Sequence, residues 1–128
     1  MTDAFDADAL IYAVNDPVRA PAVLRALAEA AEAIGSVILL PETLSKPLRS
    51  GRDREHAALE ALLGRIDLKP VDSEIAEASV AFGAVYGLRA ADAIHLATAV
   101  VWGAERFHTG NKKDFGPHIR EIEVVHPE

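Results

Sequence analysis

The chain has 128 residues, half of them hydrophobic, which is enough for one compact domain with one core and too short for two. It contains no cysteine, so a disulfide framework, a thiolate zinc site and a thiol nucleophile are all excluded, and a reducing cytoplasm fits this composition. The net charge of −7 argues against binding a polyphosphate over the whole surface, because counterion release needs a basic face; a local basic patch is still allowed.

The first half of the chain predicts strands and helices in alternation. Residues 4–7 should form a strand that runs into a short helix at about residues 8–14, and helical spacing of apolar residues predicts a surface helix over residues 17–34, with Gly35 just past its end. The run SVILL at residues 36–40 is continuously apolar, which is typical of a strand buried on both faces of a parallel sheet. A further helix should follow this strand and cover it.

The second half continues this alternation of helices and strands. We expect a helix over 53–66 that ends near Gly64, an edge strand within 66–71, a helix from the capping signal Asp72-Ser73-Glu74 to Gly87, a buried helix over 90–101, and strands at 106–109 and 121–125. This order specifies a single α/β domain over residues 1–128 with a mainly parallel sheet of about five strands. No apolar run approaches the roughly 18 residues of a membrane span, so we expect a soluble, cytoplasmic protein.

Acidic residues from distant parts of the chain are predicted to meet at one edge of this sheet. Asp6 should end the first strand, and Asn111 and Asp114 follow the strand at 106–109, so all three face one crevice if those strands are neighbours. Asp92 begins a helix that is otherwise apolar, where it either complements the helix dipole or binds a cation. Carboxylates that share a cleft repel each other, and Mg²⁺ or Mn²⁺ is the usual reason to keep them together.

Three ordered motifs, FDADALIYA, GLRAADAIHLATA and GAERFHTGNKKDF, resemble those of the PIN-domain nucleases, particularly the small toxins of VapC-like toxin–antitoxin pairs. The resemblance implies a three-layer sandwich with helices on both sides of the sheet. It also implies an endoribonuclease that depends on Mg²⁺ or Mn²⁺, with Asp6 and Asp92 holding the cation and Asn111 or Asp114 completing its shell directly or through water. The expected partners are RNA, an antitoxin protein and a second copy of the chain.

One position departs from the family pattern. Members usually carry a Glu in the helix after the second strand, and the matching position in PETLSKPL is Lys46, followed by Pro47, which should constrain the start of that helix. Glu42 lies four residues earlier and could reach the cation through a water. Lys46 either contacts a substrate phosphate, with Arg49 and Lys112 as further candidate RNA contacts, or occupies the place of the cation.

Two other functions compete with the nuclease. A PIN-like module that has lost catalysis and acts through protein contacts is supported by Lys46. A haloacid-dehalogenase-like phosphatase is suggested by the Asp-x-Asp pattern in FDADAL, but it leaves the helix within GLRAADAIHLATA unexplained. His95 lies three residues after Asp92 and shares its helix face, and on an apolar helix such a residue is predicted to be a satisfied core histidine and not a ligand.

Overall fold

A parallel sheet of five strands forms the middle of the structure, a computed structural model that describes all 128 residues. The strands are β1 (Thr2–Phe5), β2 (Glu32–Ser36), β3 (Asp67–Lys69), β4 (Arg106–His108) and β5 (Glu123–Val125). Their order is β3-β2-β1-β4-β5, and all four neighbouring pairs are parallel. The predicted α/β fold with a mainly parallel sheet of about five strands is confirmed.

Six helices connect the strands and cover both faces of the sheet. They are α1 (Ala7–Asn15), α2 (Ala20–Glu29), α3 (Leu39–Arg49), α4 (Asp53–Leu63), α5 (Ser73–Tyr86) and α6 (Ala90–Val101). Ala4 and Phe5 are successive residues of β1, so their side chains point to opposite faces. Ala4 packs in a core with α5 and α6, and Phe5 packs in a second core with α1 to α4. The predicted three-layer sandwich is therefore confirmed.

The strand order reverses at β1, which places β1 beside β4. From β1 the chain builds β2 and β3 toward one edge of the sheet and then returns to add β4 and β5 on the other side. Phe5 is in register with His108, and the Asp6 amide donates a 3.1 Å hydrogen bond to the His108 carbonyl. The residues that follow these two strands therefore share one crevice, as expected where strand order reverses in an open parallel sheet.

The predicted strand over residues 36–40 is wrong. The second strand, β2, lies earlier, and only Ser36 of the run SVILL belongs to it, while Leu39 and Leu40 begin α3. The helix predicted over 17–34 is correspondingly shorter and ends at Glu29. A continuous apolar run cannot by itself distinguish a buried strand from the buried turn of a helix, and here a turn after Ser36 divides it.

Gly35 lies inside β2 and not past the end of a helix, as had been expected. A Cβ atom at this position would lie 2.6 Å from Leu39 Cδ1 and 3.4 Å from the Phe5 carbonyl oxygen. The missing side chain lets the first turn of α3 pack directly on the strand, and Leu39 is fully buried there. The glycine therefore marks a close approach between backbone and side chain and not a helix end.

The boundaries of the later elements agree with their sequence signals. Gly64 caps α4, Asp72 caps α5 by accepting a 2.9 Å hydrogen bond from the Ile75 amide, and Gly87 ends α5 with φ of +67°. The predicted helix over 90–101 matches α6. No single helix is long and apolar enough to cross a membrane; only α5 and α6 taken together, bent by 115°, have the length and composition of a span.

Candidate functional site

Asp6 lies in the turn between β1 and α1, one residue after the strand, which ends at Phe5 and not at Asp6 as predicted. Its Oδ1 accepts a 3.0 Å hydrogen bond from the Ala9 amide, so Asp6 is the N-cap of α1, and its Oδ2 accepts a 2.5 Å hydrogen bond from the Thr109 hydroxyl. The side chain is buried, and burial raises the pKa of Asp6 to about 7 although both hydrogen bonds act to lower it. Burial therefore outweighs all the groups that stabilise the ionised form of this carboxylate, the two hydrogen bonds included.

Asp92 lies in the first turn of α6, close enough to Asp114 for the two charges to interact. The pKa of Asp92 is raised, first by burial and then by the negative charge of Asp114. Asp114 follows β4 in a loop that Asn111 braces, since the Asn111 amide group donates to Asp114 Oδ2 at 2.9 Å and the Asp114 backbone amide donates to Asn111 Oδ1 at 3.1 Å. The loop therefore presents Asp114 toward Asp92, and Asn111 holds the loop in shape.

Asp8 and Glu42 complete a group of five carboxylates, Asp6, Asp8, Glu42, Asp92 and Asp114, which we call the acidic cluster. Burial raises the pKa of Asp8, and the charge of Glu42 raises it further. Asp8 and Glu42 also raise the pKa of Asp92, and Asp8 raises that of Asp6. Mutual repulsion thus links the members of the acidic cluster at the carboxyl edge of the sheet.

The carboxylate that α3 contributes to the acidic cluster is Glu42, and position 46 contributes none. Because α3 begins at Leu39, Glu42 falls in its first turn, and the expectation that Pro47 constrains the helix start is wrong, since Pro47 lies inside the last turn. The Glu42 carboxylate is hydrogen-bonded to Nε2 of His95 on α6. Lys46 is exposed, makes no ion pair, and is not among the charges that shift the pKa of Asp8 or Asp92.

The other basic candidates, Arg49 and Lys112, lie at the surface of the protein. Arg49 is exposed at the end of α3. Lys112 follows Asn111 in the loop after β4, and its ammonium group forms a 2.7 Å ion pair with Glu128. The structure therefore does not bring these two cations, or Lys46, into contact with the carboxylates. The one cavity of the structure, about 340 Å³, lies beside β5, and its lining includes none of the five carboxylates.

Sequence reasoning underrated two residues of the site. His95 was expected to be a satisfied core residue, and it is buried, but Nε2 faces Glu42 and Nδ1 has no hydrogen-bonding partner. Its spacing of three residues from Asp92 was the available signal. Thr109 is fully buried. Its hydroxyl group donates a hydrogen bond to the Asp6 carboxylate and accepts a 3.0 Å hydrogen bond from the backbone amide of Asn111. Its signal was its position directly after the strand that neighbours β1.

The acidic cluster fits a hard divalent cation in charge and donor type. All five members offer carboxylate oxygens, which Mg²⁺ and Mn²⁺ prefer, and three of them have pKa values raised by burial and repulsion that a cation would offset. No three of these side chains surround a common point at ligand distance. Binding would therefore require some side chains of the acidic cluster to rotate toward a common point.

Two solved structures are similar to this one over nearly the whole chain. A toxin–antitoxin complex from Klebsiella pneumoniae is 28% identical, with 98% of each chain covered and a TM-score of 0.78. VapBC2 from Rickettsia felis, bound to a DNA fragment from their promoter, is covered over 100% of both chains with a TM-score of 0.78, but at 13% identity this likeness shows the fold alone. A comparison with curated proteins gives no significant match.

The family model for the PIN domain matches residues 4–116 of the chain. This range contains all five carboxylates of the acidic cluster and the three motifs that carry the predicted resemblance. The prediction of the family is therefore confirmed. The chain belongs to the PIN domain family.

Proposed function

We propose that this protein is an endoribonuclease that requires Mg²⁺ or Mn²⁺ and acts as the toxin of a toxin–antitoxin pair. The observation that carries the proposal is the acidic cluster, which lies where a parallel sheet binds its ligands. PIN domains are generally nucleases, which supports hydrolysis of a phosphodiester. The chain has no cysteine, and its carboxylates are the one group of side chains suited to hydrolytic chemistry that the sequence predicts.

Each side chain of the site has a separate task in this proposal. Asp6 and Asp92 hold the cation, and Asp114, Asn111 and Glu42 complete its shell directly or through water. When bound, the cation supplies a water of lowered pKa and screens the phosphodiester oxygens. Thr109 and the Ala9 amide hold the Asp6 carboxylate in one orientation, which keeps this ligand ready before the cation arrives.

The toxin assignment rests on the neighbour from Klebsiella pneumoniae, a toxin–antitoxin complex at 28% identity over 98% of the chain. An antitoxin partner for this chain follows by analogy. Exposed apolar side chains on α2 and α3, among them Leu24, Leu40 and Leu48, offer surface for such a partner. Val80 and Val85 on α5 offer surface for a second copy of the chain, and the cytoplasm is the proposed compartment.

A test of the function compares RNA cleavage with and without divalent cation. We expect cleavage in Mg²⁺ or Mn²⁺ and a loss of at least about 100-fold in EDTA, because metal catalysis of hydrolysis is worth several kcal/mol. Cleavage should return when excess Mg²⁺ is added back, which controls for damage by the chelator. Undiminished cleavage in EDTA would exclude the metal mechanism.

Lys46 is proposed to contact a phosphate of the RNA, one helical turn beyond Glu42. Lys46→Ala should weaken RNA binding and lower the slope of log K against log salt by about 1, as expected for the loss of one phosphate contact. Lys46→Glu should weaken RNA binding more than Lys46→Ala does. Arg49→Ala removes another candidate RNA contact on the same helix, so its RNA affinity can be compared with that of Lys46→Ala. Affinity for Mn²⁺ should stay at the wild-type value in Lys46→Ala.

The opposite outcome would assign Lys46 to the place of a lost metal ligand. In that case Lys46→Glu would tighten Mn²⁺ binding and raise turnover, because a carboxylate adds both charge and coordination. The position of Glu42 in the acidic cluster makes this outcome the less favoured one. It also weakens the case for a catalytically degenerate module, whose main support was Lys46, and the family match decides against the phosphatase.

A further inference from the structure

We propose that His95 is a positioning residue, which holds the Glu42 carboxylate over the carboxyl edge of the sheet so that it faces Asp8 and Asp92. The inference rests on the proposed function, since it assigns Glu42 to the divalent-cation site. It concerns a contact between two helices that lie in different layers. α3 packs on α1 and α4, whereas α6 packs on α5 and β2, and the pair of Glu42 with His95 joins them.

Glu42 has no other side chain to orient it. His95 is its one hydrogen-bonding partner, and 32% of the Glu42 side chain is exposed to solvent. Asp8 and Asp92 carry like charge, and each has a pKa that Glu42 helps to raise. Repulsion from these neighbours would turn a free Glu42 side chain outward into water. The hydrogen bond from His95 opposes that rotation.

His95 is suited to this task because it cannot move easily. Its side chain is 2% exposed and lies on α6 among buried residues. An ionised carboxylate only accepts hydrogen bonds, so Nε2 carries the hydrogen that Glu42 receives. Nδ1 is left buried without a partner. An apolar side chain of similar size would fill the same space without an unpaired polar atom, so packing alone does not explain a histidine at this position.

Asp92 and His95 lie on the same face of α6, so one helix contributes to the site in two ways. His95 lies three residues after Asp92 and therefore on the same face of the helix. One rigid helix thus presents a carboxylate for the cation and also fixes the carboxylate that α3 contributes. A shift of α3 against α6 would break the contact between Glu42 and His95.

A matched pair of substitutions tests the proposal with Mn²⁺ affinity as the readout, measured by calorimetry on the full chain. His95→Gln keeps a donor near the position of Nε2, and His95→Met has a side chain of similar length without a donor. We expect His95→Met to lower Mn²⁺ affinity by about 10- to 100-fold, as for loss of an outer partner of a ligand, and His95→Gln to stay within a few-fold of wild type. Thermal unfolding in EDTA reports whether both variants fold.

A double variant separates positioning from packing. If His95 acts through Glu42, then His95→Met combined with Glu42→Gln should bind Mn²⁺ no more weakly than the weaker single variant. Two results would overturn the role of His95: losses of Mn²⁺ affinity that add in the double variant, or wild-type Mn²⁺ affinity in His95→Met. In either case Asp6→Asn should still abolish Mn²⁺ binding, which shows that the cation site itself is present. Failure of the wild-type protein to bind Mn²⁺ or to cleave RNA would instead overturn the proposed function itself.

A measurement that leaves His95 intact covers the case in which His95→Met does not fold. Glu42 is partly exposed, so Glu42→Ala should fold, and imidazole ¹⁵N resonances report on His95 directly. We expect saturating Mg²⁺ to shift the His95 resonances of the wild-type protein, and Glu42→Ala to abolish this shift. Ser45→Ala, an exposed change on the same helix, should keep it. A His95 signal that does not respond to Mg²⁺ in the wild-type protein would overturn the proposal.

Discussion

Replacing Asp6 by Asn is expected to lower kcat/KM for RNA cleavage by roughly 1000-fold, which corresponds to about 4 kcal/mol of transition-state stabilisation. Asn keeps the shape of Asp and an oxygen that can accept from the Ala9 amide, so α1 retains its cap. It removes the negative charge that is proposed to bind the cation. Asp92→Asn should have an effect of similar kind, because Asp92 is the second proposed ligand.

The measurement is cleavage of a single RNA substrate at saturating Mg²⁺, with Asp53→Asn as the control. Asp53 is exposed in the first turn of α4, so this variant makes the same chemical change at a helix start outside the acidic cluster. It should cleave RNA at the wild-type rate. Retention of activity within a few-fold by Asp6→Asn would contradict the role of Asp6 as a metal ligand.

The same substitution is expected to stabilise the metal-free protein above pH 7. The pKa of Asp6 is about 7 in the folded protein, whereas its ordinary value is 3.8. Between these two pH values the folded state therefore holds a proton that the unfolded state has lost. Stability therefore falls as the pH rises through this window, and the full cost of burying the charge is present above pH 7. Asn carries no charge, so Asp6→Asn avoids a cost of at most about 4 kcal/mol.

Unfolding in EDTA at acid and alkaline pH measures this effect. Near pH 4 the wild-type protein and Asp6→Asn should have similar free energies of unfolding, because Asp6 is protonated in the fold. Well above pH 7 the variant should be more stable, and saturating Mg²⁺ should narrow the difference by stabilising the wild-type protein alone. An Asp6→Asn protein that is less stable than wild type at the higher pH would show that protein groups already compensate this charge.

Local signals in the sequence predicted the elements whose ends depend on their own residues. Asp72 caps α5 and Gly87 ends it with a left-handed conformation, and both act through backbone hydrogen bonds or φ values within a few residues. The small apolar residues of α6 likewise indicated a buried helix of the observed length. Such features need no knowledge of distant neighbours, which is why the C-terminal half was predicted more closely than the region around residue 36.

The errors arose where two elements pack on each other. The run SVILL is apolar whether its residues lie in a strand or in the first turn of a helix, and the close packing of Leu39 against Gly35 decides between them. Because this packing makes α3 begin at Leu39, Glu42 lies in its first turn and faces α6. By its place in the motif, Lys46 matches the helical acidic position instead, because order along the chain does not show which residue of α3 faces the other layer.

The sequence by itself determined the fold class, the family motifs and the candidate carboxylates at 6, 92 and 114, because these depend on residue type, order and spacing along the chain. The sequence offered Glu42 only as a residue that could reach the cation through a water. The tertiary structure decided that Glu42, with Asp8, belongs to the acidic cluster and that Thr109 and His95 orient two members of the cluster. These contacts join residues between 53 and 103 positions apart. Pairings over such separations depend on the strand order and on the packing of α3 against the sheet, which bring distant side chains within hydrogen-bonding distance.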